Sequence, residues 1–135
     1  MINIQAIDHI VLRSDNYDAL IAFYCDVLGC SIVRDETSLQ LTQLKAGTSL
    51  IDIIAVEGKL GMIGGKAPGA SENNMDHFCL RIAPFDEEQL IKYLDNKGVE
   101  HGVFEQRVGA EGKGPSIYIR DIDGNTIELR AARQL

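Results

Sequence analysis

Ile7-Asp8-His9-Ile10-Val11-Leu12-Arg13 returns 68 positions later as Met75-Asp76-His77-Phe78-Cys79-Leu80-Arg81. Both copies read apolar-Asp-His-apolar-x-Leu-Arg. Each is followed by a short polar loop and then by a helical apolar period. In the first half the period runs from about Tyr17 to Leu28, with Leu20, Ile21, Phe23, Tyr24, Val27 and Leu28 as its stripe. In the second it runs from about Asp86 to Lys97, on Leu90, Ile91 and Leu94, with acids in the first turn where the helix dipole favours them. Gly29 and Gly98 stand where a helix stop is expected. Strand-like segments follow: about 31–35, 39–45 and 49–56 in the first half, and about 100–108, 115–120 and 125–131 in the second. Asp121-Ile122-Asp123-Gly124 reads as a hairpin turn, with Gly124 free to take a positive φ. Each half is therefore strand–helix–three strands.

The glycine-rich stretch 59–74 breaks both periodicities and reads as a connector. It divides the chain into a first module of about residues 4–58 and a second of about 75–132. Together they make a single domain of 135 residues. A second glycine-rich segment, Gly109 to Gly114, reads as a flexible loop inside the second module, and both loops suit closure over a ligand.

Composition narrows the function classes. Twenty acids against 13 lysines and arginines give a net charge of −7, which disfavours nucleic acid and anionic membrane surfaces as partners. Apolar runs such as Leu50 to Val56 fall far short of the roughly 20 residues that span a bilayer. The first residues lack a basic region and an apolar stretch of signal-peptide type, and three sparse cysteines read as reduced thiols. A cytoplasmic location is expected.

Side chains alternate along a strand. Ile10 and Leu12 on the first repeat strand, and Phe78, Leu80 and Ile82 on the second, form the faces that pack on the helices. His9 and His77 look the other way, with Arg13, Cys79 and Arg81. The last strand of each module carries an acid in an apolar run: Asp52 in Leu50-Ile51-Asp52-Ile53-Ile54, and Glu128 in Thr126-Ile127-Glu128-Leu129. A carboxylate among buried aliphatics is costly unless paired, hydrogen-bonded or bound to a cation. Each module thus offers one imidazole near its start and one carboxylate near its end. His9, Asp52, His77 and Glu128 form an N2O2 set suited to one divalent metal: zinc, nickel, iron, cobalt or manganese.

Asp8-His9-Ile10-Val11-Leu12, Phe23-Tyr24-x-Asp26-Val27-Leu28-Gly29, Asp76-His77-Phe78 and Tyr118-Ile119-Arg120-Asp121-x-Asp123-Gly124-Asn125-x-Ile127-Glu128-Leu129 resemble the vicinal oxygen chelate superfamily. That group includes glyoxalase I, extradiol dioxygenases, fosfomycin-resistance enzymes and bleomycin-binding proteins. The resemblance covers nearly the whole chain. It implies an α+β fold of two βαβββ modules, each curling into part of a metal-binding cup. His9, His77 and Glu128 match the family's ligands. Asp52 falls where glyoxalase I carries a glutamate ligand, one methylene longer.

The implied activity is a glyoxalase I-like lyase or isomerase. The metal chelates two adjacent substrate oxygens and stabilises an enediolate, with Glu128 as the base that moves the proton. Tyr118 is a candidate hydrogen-bond donor to a substrate oxygen, and Arg81 and Arg130 are candidates to hold an anionic substrate group. The alternatives are an extradiol-type dioxygenase using iron(II), a transferase acting on an epoxide antibiotic, and a non-catalytic small-molecule binder. The expected partners are a small-molecule substrate and a second copy of the chain in a homodimer.

Overall fold

The protein is described by a computed structural model that covers residues 1–133 and divides into two units, Met1–Asn74 and a second beginning at Met75. The first holds β1 (His9–Ser14), α1 (Tyr17–Asp26), β2 (Ser31–Glu36), β3 (Leu41–Ala46) and β4 (Ser49–Ala55). The second holds β5 (Phe78–Ile82), α2 (Glu87–Asn96), β6 (Glu105–Gly109), β7 (Gly112–Arg120) and β8 (Thr126–Ala131). The sheets run β1-β4-β3-β2 and β5-β8-β7-β6, so both units are βαβββ modules of one topology and the fold is α+β. In each, the first strand lies parallel to the last and the other pairs are antiparallel. A parallel pair needs a long crossover; here the helix and two strands supply it. Among the described residues no helix is long and apolar enough to cross a membrane.

The apolar alternation read from the repeat strands builds each core. In the first module Leu12 stands opposite Ile53, and both are fully buried with Leu20, Tyr24 and Leu44. In the second, Leu80 stands opposite Leu129, and Ile117, Ile119, Ile127 and Leu94 are buried. Each buried Leu or Ile side chain stabilises the module by about 1.5–3 kcal/mol. Helix α2 starts at the N-cap Asp86, whose side chain accepts a hydrogen bond from the Gln89 amide at 3.0 Å. Gly29 and Gly98 follow the helices with φ of 73° and 67°, which a Cβ would oppose. The β7–β8 turn is held by Asp121, which accepts from the Asp123 and Asn125 amides at 2.9 Å and from Asn125 Nδ2 at 2.8 Å.

Three segments differ from the sequence reading. The strand expected over 100–108 begins only at Glu105. Before it, the chain makes one bridge to β7 at His101 and Ile119, and the His101 ring contacts Asp95 (2.7 Å) and the Gly102 carbonyl (2.8 Å). The segment Gly109–Gly114 is not an open loop. Gly109 pairs with Gly112 across a two-residue turn, so β6 and β7 form a tight hairpin, closed by a φ of 94° at Gly112. The connector, too, is ordered locally. It forms a short 3-10 turn over Gly61–Gly64, and the Arg13 guanidinium donates to the carbonyls of Gly61, Gly65 and Lys66. Asn74 closes the unit by donating from Nδ2 to the Arg13 carbonyl at 3.3 Å.

Gly61 packs so tightly that a Cβ would lie 1.9 Å from the Ala55 carbonyl oxygen. Gly61→Ala is expected to destabilise the protein by about 1–3 kcal/mol, read as a lower urea midpoint at unchanged slope. The His101 pKa is raised by its hydrogen bonds to the Gly102 carbonyl and Asp95, against a smaller effect of burial. A raised folded-state pKa stabilises fully below the unfolded value and is lost as pH rises through the folded one. His101→Gln is therefore expected to flatten the stability profile from about pH 6.5 upward, with its deficit greatest on the acid side.

Candidate functional site

The parallel pairing sets histidine beside acid. Val11 stands opposite Asp52, and Cys79 opposite Glu128, so each acid shares a sheet face with the histidine two residues back on the first strand. His9 Nε2 lies 3.9 Å from Asp52 Oδ2, and His77 Nε2 lies 3.6 Å from Glu128 Oε2. The acids sit on inner strands and are 5% and 6% exposed, although both are charged side chains. Asp52 Oδ1 and Glu128 Oε1 are buried without a hydrogen-bond partner.

The other ring nitrogen explains the arrangement. His9 Nδ1 contacts Asp8 Oδ1 at 2.7 Å, and His77 Nδ1 contacts Asp76 Oδ2 at 2.5 Å. An ionised carboxylate only accepts, so Nδ1 donates to it and Nε2 is the ring nitrogen that faces the buried acid. Nε2 of each ring then faces a carboxylate across a gap too long for a hydrogen bond. Two ligands of one tetrahedral zinc, each about 2.1 Å from it, would stand about 3.4 Å apart. The spacing, the unpartnered oxygens and the oriented imidazoles fit a divalent cation. Without one, the hydrogen bond to Asp8 and the charge of Asp52 raise the His9 pKa above its ordinary value. The four residues are brought together two by two. Among the described residues no group of three or more His, Cys, Asp or Glu side chains gathers for a metal.

The second module surrounds its pair more fully. Burial pushes the Glu128 pKa up, but hydrogen bonds from Ser116 and Cys79 and the charges of His77 and Arg130 bring it below the ordinary carboxylate value. Cys79 in turn is pushed up to about 11 by burial and by Glu128, so it is a neutral thiol near neutral pH. Tyr118, opposite Glu128 on β7, sits edge-on to His77 with ring centroids 5.3 Å apart. The Arg107 guanidinium covers the Tyr118 ring at 4.2 Å and donates to Ser116 Oγ at 3.0 Å. Arg107 and Ser116 thus support the tyrosine and the acid. The sequence offered no signal for Arg107; Asp8 and Asp76 stood in the repeated motif itself.

The two arginines differ. Arg81 lies on the edge strand β5, its side chain 57% exposed and 3.3 Å from Glu111. Arg130 lies on the inner strand β8 and is 5% exposed.

Two βαβββ modules, each with an Asp-oriented histidine facing a buried acid, define a class of proteins built from a duplicated module. The chain belongs to the Glyoxalase/Bleomycin resistance protein/Dioxygenase superfamily, which it matches over residues 6–129. It is 31% identical to the virulence protein STM3117 of Salmonella typhimurium over 128 residues, 93% of this chain and 83% of that one. The crystal structure of that protein superposes with a TM-score of 0.80 at 27% identity, covering 98% of this chain and 100% of the other. A structure from the mobile metagenome of V. pseudocholerae gives 0.78 at 26% identity over 99% of each chain. Lactoylglutathione lyase from Agrobacterium tumefaciens shares the fold, with a TM-score of 0.66 at 22% identity over 94% of this chain and 93% of its own.

Ser116→Ala removes one of the bonds that hold Glu128 ionised. The Glu128 carboxyl is expected to titrate at higher pH in this variant than in the wild type, as followed by carbon NMR of the metal-free protein.

Proposed function

We propose that this protein is a divalent-metal enzyme of the glyoxalase type, a lyase or isomerase acting on a small molecule with two adjacent oxygens. The observation that carries it is the pair of buried acids, each with an unpartnered oxygen and an Asp-oriented imidazole alongside. His9, His77 and Glu128 would hold the cation, with Asp52 as the fourth, shorter-armed ligand. Each module carries half of the set, so the complete site needs two modules, and a homodimer is one way to assemble it. When bound, the cation supplies a Lewis acid that stabilises negative charge growing on the adjacent substrate oxygens.

The remaining work falls to this chain. Glu128 takes the proton from the carbon beside the carbonyl and returns it to the neighbouring carbon. Hydrogen bonds from Ser116 and Cys79 lower its pKa despite burial, so it is ionised at neutral pH. Tyr118 would donate to a substrate oxygen, from a ring fixed by Arg107 and His77. Asp8 and Asp76 keep the imidazoles in the tautomer that leaves Nε2 free.

The test begins with the metal content of the purified protein. Turnover of methylglyoxal plus glutathione is then measured after loading with nickel, zinc, iron or manganese. Uptake of one cation per site and cation-dependent turnover are expected. Glu128→Gln should lose at least about a hundredfold in rate, in line with removal of a general base. Asp52→Asn should fall comparably if Asp52 is a ligand. Refusal of all four cations would sink this reading, and iron-dependent oxygen uptake on catechols would replace it with the dioxygenase.

A further inference from the structure

Arg130 is a buried cation with donors to spare. It follows Glu128 by two residues on β8, so the two side chains share one face, about 7 Å apart along the strand. Its Nη2 donates to the carbonyls of Gly112 (2.9 Å) and Arg107 (3.3 Å). Nε and Nη1 are buried and make no hydrogen bond. An arginine cannot shed its proton to escape this cost, so the donors call for an acceptor. Its basic neighbours on the sheet are already matched: Arg81 pairs with Glu111 at 3.3 Å, and Arg107 with Glu105 at 3.0 Å. Among the described residues no carboxylate lies within 4.0 Å of the Arg130 guanidinium, although its charge acts on Glu128.

The fold does not require this charge. The equivalent position in the first module, two residues after Asp52, is Ile54, 7% exposed and opposite Arg13 as Arg130 is opposite Arg81. The second module is also shaped around the guanidinium. A Cβ on Gly109 would lie 2.1 Å from Nη1, and one on Gly114 3.4 Å from Nη2.

We propose that Arg130 heads a subsite for a small oxyanion, a carboxylate, phosphonate or phosphate group borne by the molecule this protein binds. The anion supplies the acceptors that Nε and Nη1 lack, in charge-assisted hydrogen bonds. Cover over the guanidinium comes from the backbone of the β6–β7 hairpin, where Gly109 and Gly112 flank a two-residue turn. This inference rests on the chelate reading only for its consequence that the substrate joins an anionic group to its two adjacent oxygens. Arg81, exposed and paired with Glu111, is left out of the subsite.

The experiment follows the arginine Nε–H resonances of the full-length, metal-stripped protein by NMR. Inorganic phosphate, methylphosphonate, acetate and the neutral dimethyl methylphosphonate are added in turn. A saturable shift of the Arg130 resonance, identified by its loss in Arg130→Met, is expected with the anions and not with the neutral ester. The strongest anion reveals whether the group is tetrahedral or planar. Arg130→Met should keep or raise its melting temperature and lower anion affinity by about ten- to a hundredfold. Gly109→Ala, which keeps the charge but crowds Nη1, should weaken the anion while leaving metal uptake intact. No shift at high anion concentration, or an equal shift with the neutral ester, overturns the subsite: water alone then meets these donors. The two readings separate cleanly. Anion binding in protein that refuses every cation leaves the subsite standing and removes the chelate. Cation uptake without anion binding does the reverse.

Discussion

The parallel pairing of the first strand with the last governs each module. It makes β4 and β8 inner strands, flanked on both sides, and so buries whatever they carry. It also sets the register that brings a histidine at the start of one strand to an acid in the middle of the other. Shifting that register by one residue would send every acid to the helix face and every leucine away from it. The core and the site are therefore fixed by the same hydrogen-bond ladder. Leu12 and Ile53 hold the alignment from one side, and His9 and Asp52 use it on the other.

Much of this was legible in the chain. The repeat gave the order of elements, because strand alternation and helical period change at the same places in both halves. The helices expected at 17–28 and 86–97 are Tyr17–Asp26 and Glu87–Asn96, stopped close to the positive-φ glycines. The acids were conspicuous because a carboxylate inside an aliphatic run needs a reason. What stayed hidden depends on contacts across strands whose pairing the sequence does not announce. Arg107 reaches Tyr118 only because β6 and β7 meet in a tight hairpin, and that hairpin lay inside a segment that reads as a glycine-rich loop. Arg81 and Arg130 look alike in sequence. Their difference arises from edge against centre of one sheet, a distinction of topology and not of composition.

The modules share a frame but not a chemistry. In the first, the carboxylate is an aspartate, the histidine is half exposed, and the residue two beyond the acid is Ile54. The second carries the longer glutamate, backed by Ser116 and Cys79, with a tyrosine held between imidazole and guanidinium. One half keeps a plain wall beside its acid, and the other builds a polar network there. Hydrogen bonds from Ser116 and Cys79 gather around Glu128, which fits the base role proposed for it and sets it apart from Asp52.

The Arg13 clamp has a consequence for how the chain breaks. A sixteen-residue, glycine-rich connector would ordinarily be the first target of a protease, which must draw an extended stretch into its cleft. Here the peptide carbonyls of Gly61, Gly65 and Lys66 are committed to one guanidinium, and the 3-10 turn between them is not extended. The bonds most open to cleavage are then expected between Ala67 and Asn73, a mostly exposed run closed by the paired backbone hydrogen bonds of Gly69 and Glu72. A single nick there leaves His9 and Asp52 on one piece of chain and His77 and Glu128 on the other.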